Sequence, residues 1–170
     1  MKKTMKLRST RLGRKQQGAA IMDNLIAVGF VALALVFIIA QVPKLQYQWN
    51  KVQFQSQVSE IVQATVAWKK SRPNFDTVSL NKVCLDGELS NSVCGTANDG
   101  KSTNPFGGDW AVTVNTGSKG LFDVKATLPS DPDRVVSLSN TMSAATRGNC
   151  IEAAGCSTIA TTGTDITMTF

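Results

Sequence analysis

An unbroken apolar run stands near the N-terminus of the chain. From Leu25 to Ala40, sixteen residues follow one another without a charged, amide or hydroxyl side chain, and the run reaches Val42 if Gln41 is included. As an α-helix it would be about 24–27 Å long, which is sufficient for a hydrocarbon core of about 30 Å with slight tilt or local thinning. The pattern predicts a membrane-spanning helix.

The helical pattern continues beyond this run but becomes amphipathic. Between Lys44 and Lys70, glutamines and Glu60 alternate with residues at near-helical spacing, namely Leu45, Trp49, Val52, Val58, Ile61, Val62, Thr65 and Trp68. We expect Pro43 to kink the helix rather than end it, because helical patterning resumes at once. One helix is therefore predicted from about Ala20 to Lys70, with a second half that packs against a folded body.

The remaining residues, 71–170, show short alternations that are typical of strands. They run over Asp109–Asn115, Leu121–Leu128 and Asp165–Phe170, and a turn at Gly117–Gly120 joins the first two. A helix is predicted to begin at Ser130-Asp131-Pro132 with a capping side chain and to bury Val135, Leu138, Ser139 and Met142. These elements predict one α+β head with an antiparallel sheet of three or four strands that covers the amphipathic helix.

Seven basic residues and no acidic one lie in the first 18 positions: Lys2, Lys3, Lys6, Arg8, Arg11, Arg14 and Lys15. The positive-inside rule places this end in the cytoplasm and the body across the membrane. The other 152 residues hold 11 basic and 12 acidic residues, so the formal net charge of +6 belongs to the N-terminal segment. We therefore expect no nucleic-acid binding by the body.

A cleaved secretory signal peptide is the alternative for this N-terminus. The apolar run exceeds the usual h-region of about 7–15 residues. A small-x-small cleavage site at Ala40 is also absent, because the residue two positions before it is the bulky Ile38. An uncleaved signal anchor accounts for both details but not for Asp23, which lies at the start of the stretch. An acidic group inside a span costs up to about 2.5–3.5 kcal/mol on insertion scales, so its presence calls for a partner.

The chain contains no histidine, which excludes Ser-His-Asp, Cys-His and His-ligated metal sites. No nucleophile elbow or phosphate loop is recognisable. The acidic pairs Asp86/Glu88 and Asp131/Asp133 are expected to be solvated turn and capping residues. We therefore predict no enzyme activity, no cofactor and no metal.

Four cysteines, Cys84, Cys94, Cys150 and Cys156, all lie in the part predicted to be exported. Their even number in a Gly- and Ser-rich head predicts two disulfides. A Cys₄ zinc site is the rival, but gaps of nine and five residues differ from the usual paired C-x₂₋₄-C spacing. Three pairings are possible, and we favour Cys84–Cys94 with Cys150–Cys156.

The N-terminal features together resemble a type IV prepilin. They are a basic leader ending in Gly18, the small residue Ala19 after it, an acid at Asp23, and an apolar helix that continues as an amphipathic one. The 18-residue leader and the non-phenylalanine residue after it are more similar to the type IVb branch, which includes conjugative thin-pilus-type pilins. The segment Thr103–Trp110, with its Asn-Pro-x-Gly-Gly turn, is also similar to type IVb pilins. In the family the acid is usually Glu, one methylene longer.

The resemblance implies four parts: a cleaved leader over 1–18, an apolar transmembrane and assembly helix over 19–43, the amphipathic half of that helix over 44–70, and a globular α+β head over 71–170. It implies the type IV pilin fold, in which the long helix packs on a small antiparallel sheet with a disulfide-bounded C-terminal region, here 148–164. Cleavage falls between Gly18 and Ala19. Asp23 of one subunit would then pair with the free α-amino group of Ala19 in its neighbour, which offsets the cost of burying either charge.

The function implied is that of a structural subunit of a type IVb pilus for adhesion, aggregation or conjugal mating. The implied partners are further copies of the chain in a helical homopolymer, the prepilin peptidase, and the assembly platform, ATPase and secretin. The precursor would reside in the bacterial inner membrane with its head in the periplasm, and the assembled subunit would be extracellular. A type II secretion pseudopilin and another membrane-anchored exported protein are the alternatives.

Overall fold

The computed structural model of the protein describes residues 17–70 and 72–170, with side chains from position 22 onward except at position 23. The chain divides into two units, Met1–Leu45 and Gln46–Phe170. Its first element is helix α1 (Gln17–Lys69), which runs through Pro43. The predicted long helix is confirmed, with bounds that differ from the expectation by a few residues at the N-terminus. The basic leader up to residue 16 and Ser71 lie outside the described residues.

Two short helices that the sequence pattern did not predict follow in the second unit. Helix α2 spans Leu80–Leu85, and Ser79 caps it by accepting a hydrogen bond from the Lys82 N–H. Helix α3 spans Asn91–Cys94. The backbone N–H of Ser90, just before α3, donates to Oε1 of Glu60 on α1 at 2.7 Å. Each helix is too short to carry a periodic signal of its own.

The sheet has four antiparallel strands in the order β1-β2-β4-β3. The strands are β1 (Trp110–Val114), β2 (Phe122–Thr127), β3 (Ile159–Thr162) and β4 (Asp165–Thr169). Trp110 lies opposite Ala126, Val124 lies opposite Met168, and Ile159 lies opposite Met168 from the other side. This register puts the apolar positions on one face and Lys125, Thr167 and their neighbours on the other, as expected for a sheet that is buried on one side. The fold is therefore α+β, with the predicted antiparallel sheet.

Between β2 and β3 lies helix α4 (Val135–Ser143), preceded by a 3₁₀ turn over Pro132–Arg134. The predicted buried positions of this helix, Val135, Leu138, Ser139 and Met142, are all buried. The predicted capping side chain is wrong: Asp131, which precedes the 3₁₀ turn, makes no capping hydrogen bond and lies 3.7 Å from Nε of Arg134 instead. A 3₁₀ turn displaces the start of α4 by three residues, so the Asp131 side chain cannot reach the α-helical N–H groups.

The core of the second unit forms where α1 and α4 meet the apolar sheet face. Aromatic side chains make much of the contact: the Phe54 ring lies 4.8 Å from the Trp110 ring, and Phe75 lies 4.7 Å from Phe122. The indole N–H of Trp110 donates to Oε1 of Gln57 at 3.1 Å, so this buried polar group is satisfied. The amphipathic half of the helix thus contributes both apolar contacts and a hydrogen-bond acceptor.

The predicted apolar stripe of α1 is wrong in three of its members. Leu45, Trp49 and Val52 are exposed, at 68%, 66% and 59%, whereas Phe54 and Ala64 are buried. At 3.6 residues per turn, the three exposed residues lie about 140–180° around the helix from Phe54, so they cannot share its face. The stripe that packs in the head consists of Phe54, Val58, Ile61, Ala64, Thr65 and Trp68.

Candidate functional site

The apolar part of α1 exposes its side chains on every side within the first unit. Large apolar side chains between positions 22 and 42 are 50–71% exposed, with Phe30 the most exposed at 71%. A helix that is apolar all round is stable only where lipid or protein covers it, because exposing apolar surface to water costs roughly 25 cal/mol of free energy for each Å². This segment is the candidate functional site of the first unit.

Among the described residues, α1 is the one helix whose length and composition suit it to cross a bilayer. The stretch contains no charged residue from Asn24 to Val42. The coarse prediction of a transmembrane-like helix is therefore confirmed at the level of length and composition. The direction in which the helix crosses a membrane stays a prediction.

The predicted processing residues Gly18 and Ala19 lie in the first turn of α1, and Asp23 lies in its second turn. The side chains at these positions are outside the described part of the chain. The proposed pairing of Asp23 with an α-amino group therefore stays a prediction. The same holds for cleavage between Gly18 and Ala19.

The structure joins the four cysteines in the favoured pairing. Cys84 at the end of α2 bonds to Cys94 of α3, with Cα atoms 5.6 Å apart. Cys150 bonds to Cys156, with Cα atoms 5.9 Å apart, and closes a loop after α4. All four cysteines are used, so none is left to ligate a metal.

The Asn-Pro-x-Gly-Gly segment forms a turn organised by Asn104, which is buried. Its Oδ1 accepts hydrogen bonds from the N–H groups of Phe106 at 2.8 Å and Gly108 at 3.2 Å. Its Nδ2 donates to the carbonyls of Asp109 at 3.3 Å and Thr127 at 2.8 Å. One side chain thereby holds the turn to both β1 and β2. The sequence indicated the turn but not this role of Asn104, because the burial of the side chain is not visible in the sequence; the asparagine before Pro105 and the Gly-Gly pair is the local signal.

Glycine is required at Gly108 because the backbone of β2 approaches it closely. A Cβ at this position would lie 2.0 Å from the Thr127 carbonyl oxygen and 2.7 Å from Pro129 Cδ. Gly107 next to it has φ +82°, which is a left-handed conformation that favours glycine. The turn thus has a structural reason for its residue types.

The ion pairs of the head lie at its surface. Hydrogen bonding to Lys119 holds the pKa of Asp76 below its ordinary value, and hydrogen bonding to Lys125 does the same for the pKa of Asp165. The corresponding Nζ–Oδ2 distances are 2.9 Å and 2.6 Å. Within residues 17–70 and 72–170 as described, no group of three or more His, Cys, Asp or Glu side chains is arranged to hold a metal. The two pairs therefore link neighbouring segments at the surface of the head.

Comparisons with models of protein families, with curated proteins and with solved structures returned no match.

Proposed function

We propose that the protein is the structural subunit of a type IVb pilus. In this proposal it is inserted in the inner membrane as a prepilin, cleaved after Gly18, and polymerised through its apolar helix into an extracellular filament for adhesion, aggregation or conjugal mating. The observation that carries the proposal is α1 itself. Its N-terminal part exposes apolar side chains all round, and its C-terminal part buries Phe54, Val58 and Ile61 in a folded α+β head.

Such a helix suits a subunit that exchanges one apolar environment for another. In the membrane, lipid covers the side chains between positions 22 and 42; in a filament, the same side chains of neighbouring copies cover one another. Because both surroundings are apolar, extraction from the bilayer costs little once neighbours replace lipid. A signal anchor has no need of an acid at position 23, whereas a filament subunit uses it to pair with the neighbouring α-amino group.

The partners follow from the same proposal. A prepilin peptidase would cut between Gly18 and Ala19 on the cytoplasmic side, and the assembly platform, ATPase and secretin would build and export the filament. The mature subunit of 152 residues would carry 11 basic and 12 acidic residues. Near-neutrality favours side-by-side packing of many copies, because like charge accumulates along a fibre.

The mature N-terminus tests the proposal most directly. We expect intact-mass and N-terminal sequence analysis of the membrane-extracted protein to show a chain that begins at Ala19, with or without a methyl group on its amine. Gly18→Val should block this cleavage, because the proposed peptidase site needs the smallest residue. Gly13→Val, a second glycine of the leader, is the matched control and should be processed normally.

Four results would contradict the proposal. An intact Met1 would identify a signal anchor, and a start near Gln41 would identify an ordinary secreted protein. Efficient maturation of Gly18→Val would show that the cleavage site lies elsewhere. A chain that begins at Ala19 but forms only short periplasmic assemblies would instead favour a type II secretion pseudopilin.

A further inference from the structure

Strand β3 lies at an open edge of the sheet. The strand order places β3 outside β4, and the Thr169 N–H donates to the Thr158 carbonyl at 2.8 Å. In an antiparallel ladder the bonded residues alternate, so Ala160 and Thr162 bond to β4 while Ile159 and Thr161 direct their N–H and C=O groups away from it. Two sets of backbone donors and acceptors therefore face outward.

The side chains of this edge give it little protection, although the strand is only four residues long. Ile159–Thr162 contains no charged residue and no proline, and its last three residues are exposed. Within the part of the chain that the structure describes, no hydrogen bond occupies the outward groups of Ile159 or Thr161. The opposite edge of the sheet differs, because α2 lies against β1. The exposed part of the β3 edge, Ala160–Thr162, is therefore accessible to another strand, whereas Ile159 is buried in the core.

A cavity of about 210 Å³ lies directly beside this edge. Its walls are the exposed side of α4 and the disulfide loop, and its principal lining residues are Val136, Ser139, Asn140, Glu152, Ile159 and Thr161. Cavities that enclose whole small molecules measure about 300–1,000 Å³, so this one suits a single side chain of a longer ligand. We call the cavity and the outward edge of Ile159–Thr162 the edge groove.

The walls of the edge groove are held in place without a ligand. The Cys150 N–H donates to the Ser143 carbonyl at 3.2 Å, and the Ser143 hydroxyl donates to the Cys150 carbonyl at 3.0 Å. The Ala153 N–H donates to Oδ1 of Asn140 at 2.8 Å. Together with the Cys150–Cys156 bond, these contacts fasten the loop to α4. A preformed groove lowers the ordering cost of binding.

The groove carries one charged side chain, Glu152. No lysine or arginine among the described residues pairs with it. A carboxylate at the rim of a cavity of one side chain's size complements a long cationic side chain, whose methylene stem would contact Val136 and Ile159. The charge and the size of the site therefore select a basic residue.

We propose that the edge groove binds an extended peptide by strand addition to β3. The peptide backbone would pair with the outward N–H and C=O groups of Thr161 in the exposed part of β3, and one lysine or arginine side chain would enter the cavity toward Glu152. Alternate residues of an added strand point to the same face, so the specificity is for one basic residue at a position facing α4. The site belongs to the head and is independent of polymerisation.

Amide NMR of the full chain in detergent micelles tests this proposal. The probe is the peptide acetyl-Thr-Val-Lys-Val-Thr-amide, and its counterpart with Glu in place of Lys is the charge control. We expect the lysine peptide to shift the Thr161 amide signal and to slow its hydrogen exchange. The glutamate peptide should bind the parent chain at least about 10-fold more weakly than the lysine peptide does. The lysine peptide should bind Glu152→Gln about 5- to 10-fold more weakly than it binds the parent chain.

Thr161→Pro separates strand addition from simple charge attraction. Proline removes an outward N–H without breaking the β4 ladder, since Thr161 does not bond to β4. Binding should fall at least about 10-fold, while Thr161→Val, which keeps the N–H, should bind as the parent chain does. A near-unchanged melting temperature of each variant shows that the head is intact.

Several results would overturn the proposal. Equal binding of the lysine and glutamate peptides, or of the parent and Thr161→Pro chains, would remove the basis for strand addition with a basic residue. Signal changes confined to residues outside the edge groove would place the peptide elsewhere. Self-association that Thr161→Pro abolishes, without peptide binding to the parent, would assign the edge to a second copy of the chain.

Discussion

Thr65 places a hydroxyl inside the head without a partner. The residue is fully buried on α1, and its Oγ1 makes no hydrogen bond among the described residues. A buried polar atom in this state forfeits its hydration without compensation, at a cost of about 1–3 kcal/mol. The core of the head is therefore less stable than its apolar contacts alone imply.

We expect Thr65→Val to stabilise the head by about 1 kcal/mol, because valine replaces the hydroxyl with a methyl group of similar size. Near-UV circular dichroism of the head tryptophans during thermal unfolding measures the change. Thr65→Ser is the matched control: it keeps the hydroxyl, removes a methyl and should destabilise by about 1 kcal/mol. Destabilisation by valine would mean that the hydroxyl has a partner in solution.

Among the described glycines, Gly108 is the one at which an added Cβ would meet the shortest contact, 2.0 Å to the Thr127 carbonyl oxygen. The Thr127 carbonyl lies where a Cβ would be, and that carbonyl already accepts from Asn104. Gly108→Ala must displace β2 or the turn, so we expect a loss of about 3 kcal/mol or more. Thermal unfolding of Gly120→Ala, whose Cβ would lie 3.5 Å from Ser118 Oγ, is the control and should show little change. Similar melting of both variants would contradict the role of the turn.

At the scale of the elements, Lys125 and Asp165 connect β2 to β4 on the polar face of the sheet. Lys125 lies beside Asp165 diagonally, because Lys125 is opposite Thr167 and Thr127 is opposite Asp165. The hydrogen bond from Lys125 lowers the pKa of Asp165 in the folded state. Its contribution to stability is present above the unfolded pKa of about 4 and is lost as pH falls through the lower folded pKa.

We therefore expect stability to fall below about pH 4, partly through this pair. Lys125→Met should reduce stability at neutral pH by about 0.2–1 kcal/mol, as is usual for exposed pairs, and should make the acid loss shallower. Urea unfolding between pH 7 and pH 2 measures both effects. Lys51→Met, at a lysine that makes no ion pair among the described residues, controls for loss of a lysine. An acid slope unchanged by Lys125→Met would disprove the linkage.

The elements that the sequence predicted are those with a periodic signal. β1, β2 and β4 bury alternate residues, and α4 buries one stripe, so their patterns were readable. Helices α2 and α3 were not predicted, because they depend on the Ser79 cap and on tertiary contacts rather than on period. The side of α1 that packs in the head was partly misjudged, since Trp49 and Val52 are apolar but exposed.

The two candidate sites also differ in how far the sequence predicts them. The apolar segment of α1 was predictable, because composition alone defines a helix that needs an apolar environment. The edge groove was not, because it brings together Asn140, Glu152 and Thr161 from three separate elements. The strand order of the sheet and the Cys150–Cys156 loop create the edge groove, and neither leaves a local pattern in the sequence.

At the scale of the whole molecule, charge is concentrated at one end. Seven of the 18 basic residues precede the proposed cleavage site, and the apolar part of α1 follows it at once. Removal of the leader would change a basic precursor into a nearly neutral subunit and expose a new α-amino group next to the apolar helix. The acid at Asp23 would then have a cationic partner only in a neighbouring copy.

We expect Asp23→Ala to leave processing and membrane insertion intact but to abolish filaments, because the buried α-amino group of a neighbour would lose its counter-charge. Electron microscopy of shed filaments and membrane fractionation measure the two steps. Asp23→Glu, which carries the acid usual in the resembled family, is the control and should assemble. Normal filaments from Asp23→Ala would refute the charge pair.

The two disulfides have a further consequence for how the head matures. They join residues only 10 and 6 positions apart, so each ring can close as soon as its second cysteine becomes available. Closing such short loops removes about 2.8 and 2.4 kcal/mol of chain entropy, respectively, from the unfolded ensemble. Neither ring requires the sheet to exist first. If the head crosses the membrane in the order of its sequence, Cys84–Cys94 can close before Cys150 and Cys156 arrive, which leaves few opportunities for mispaired cysteines.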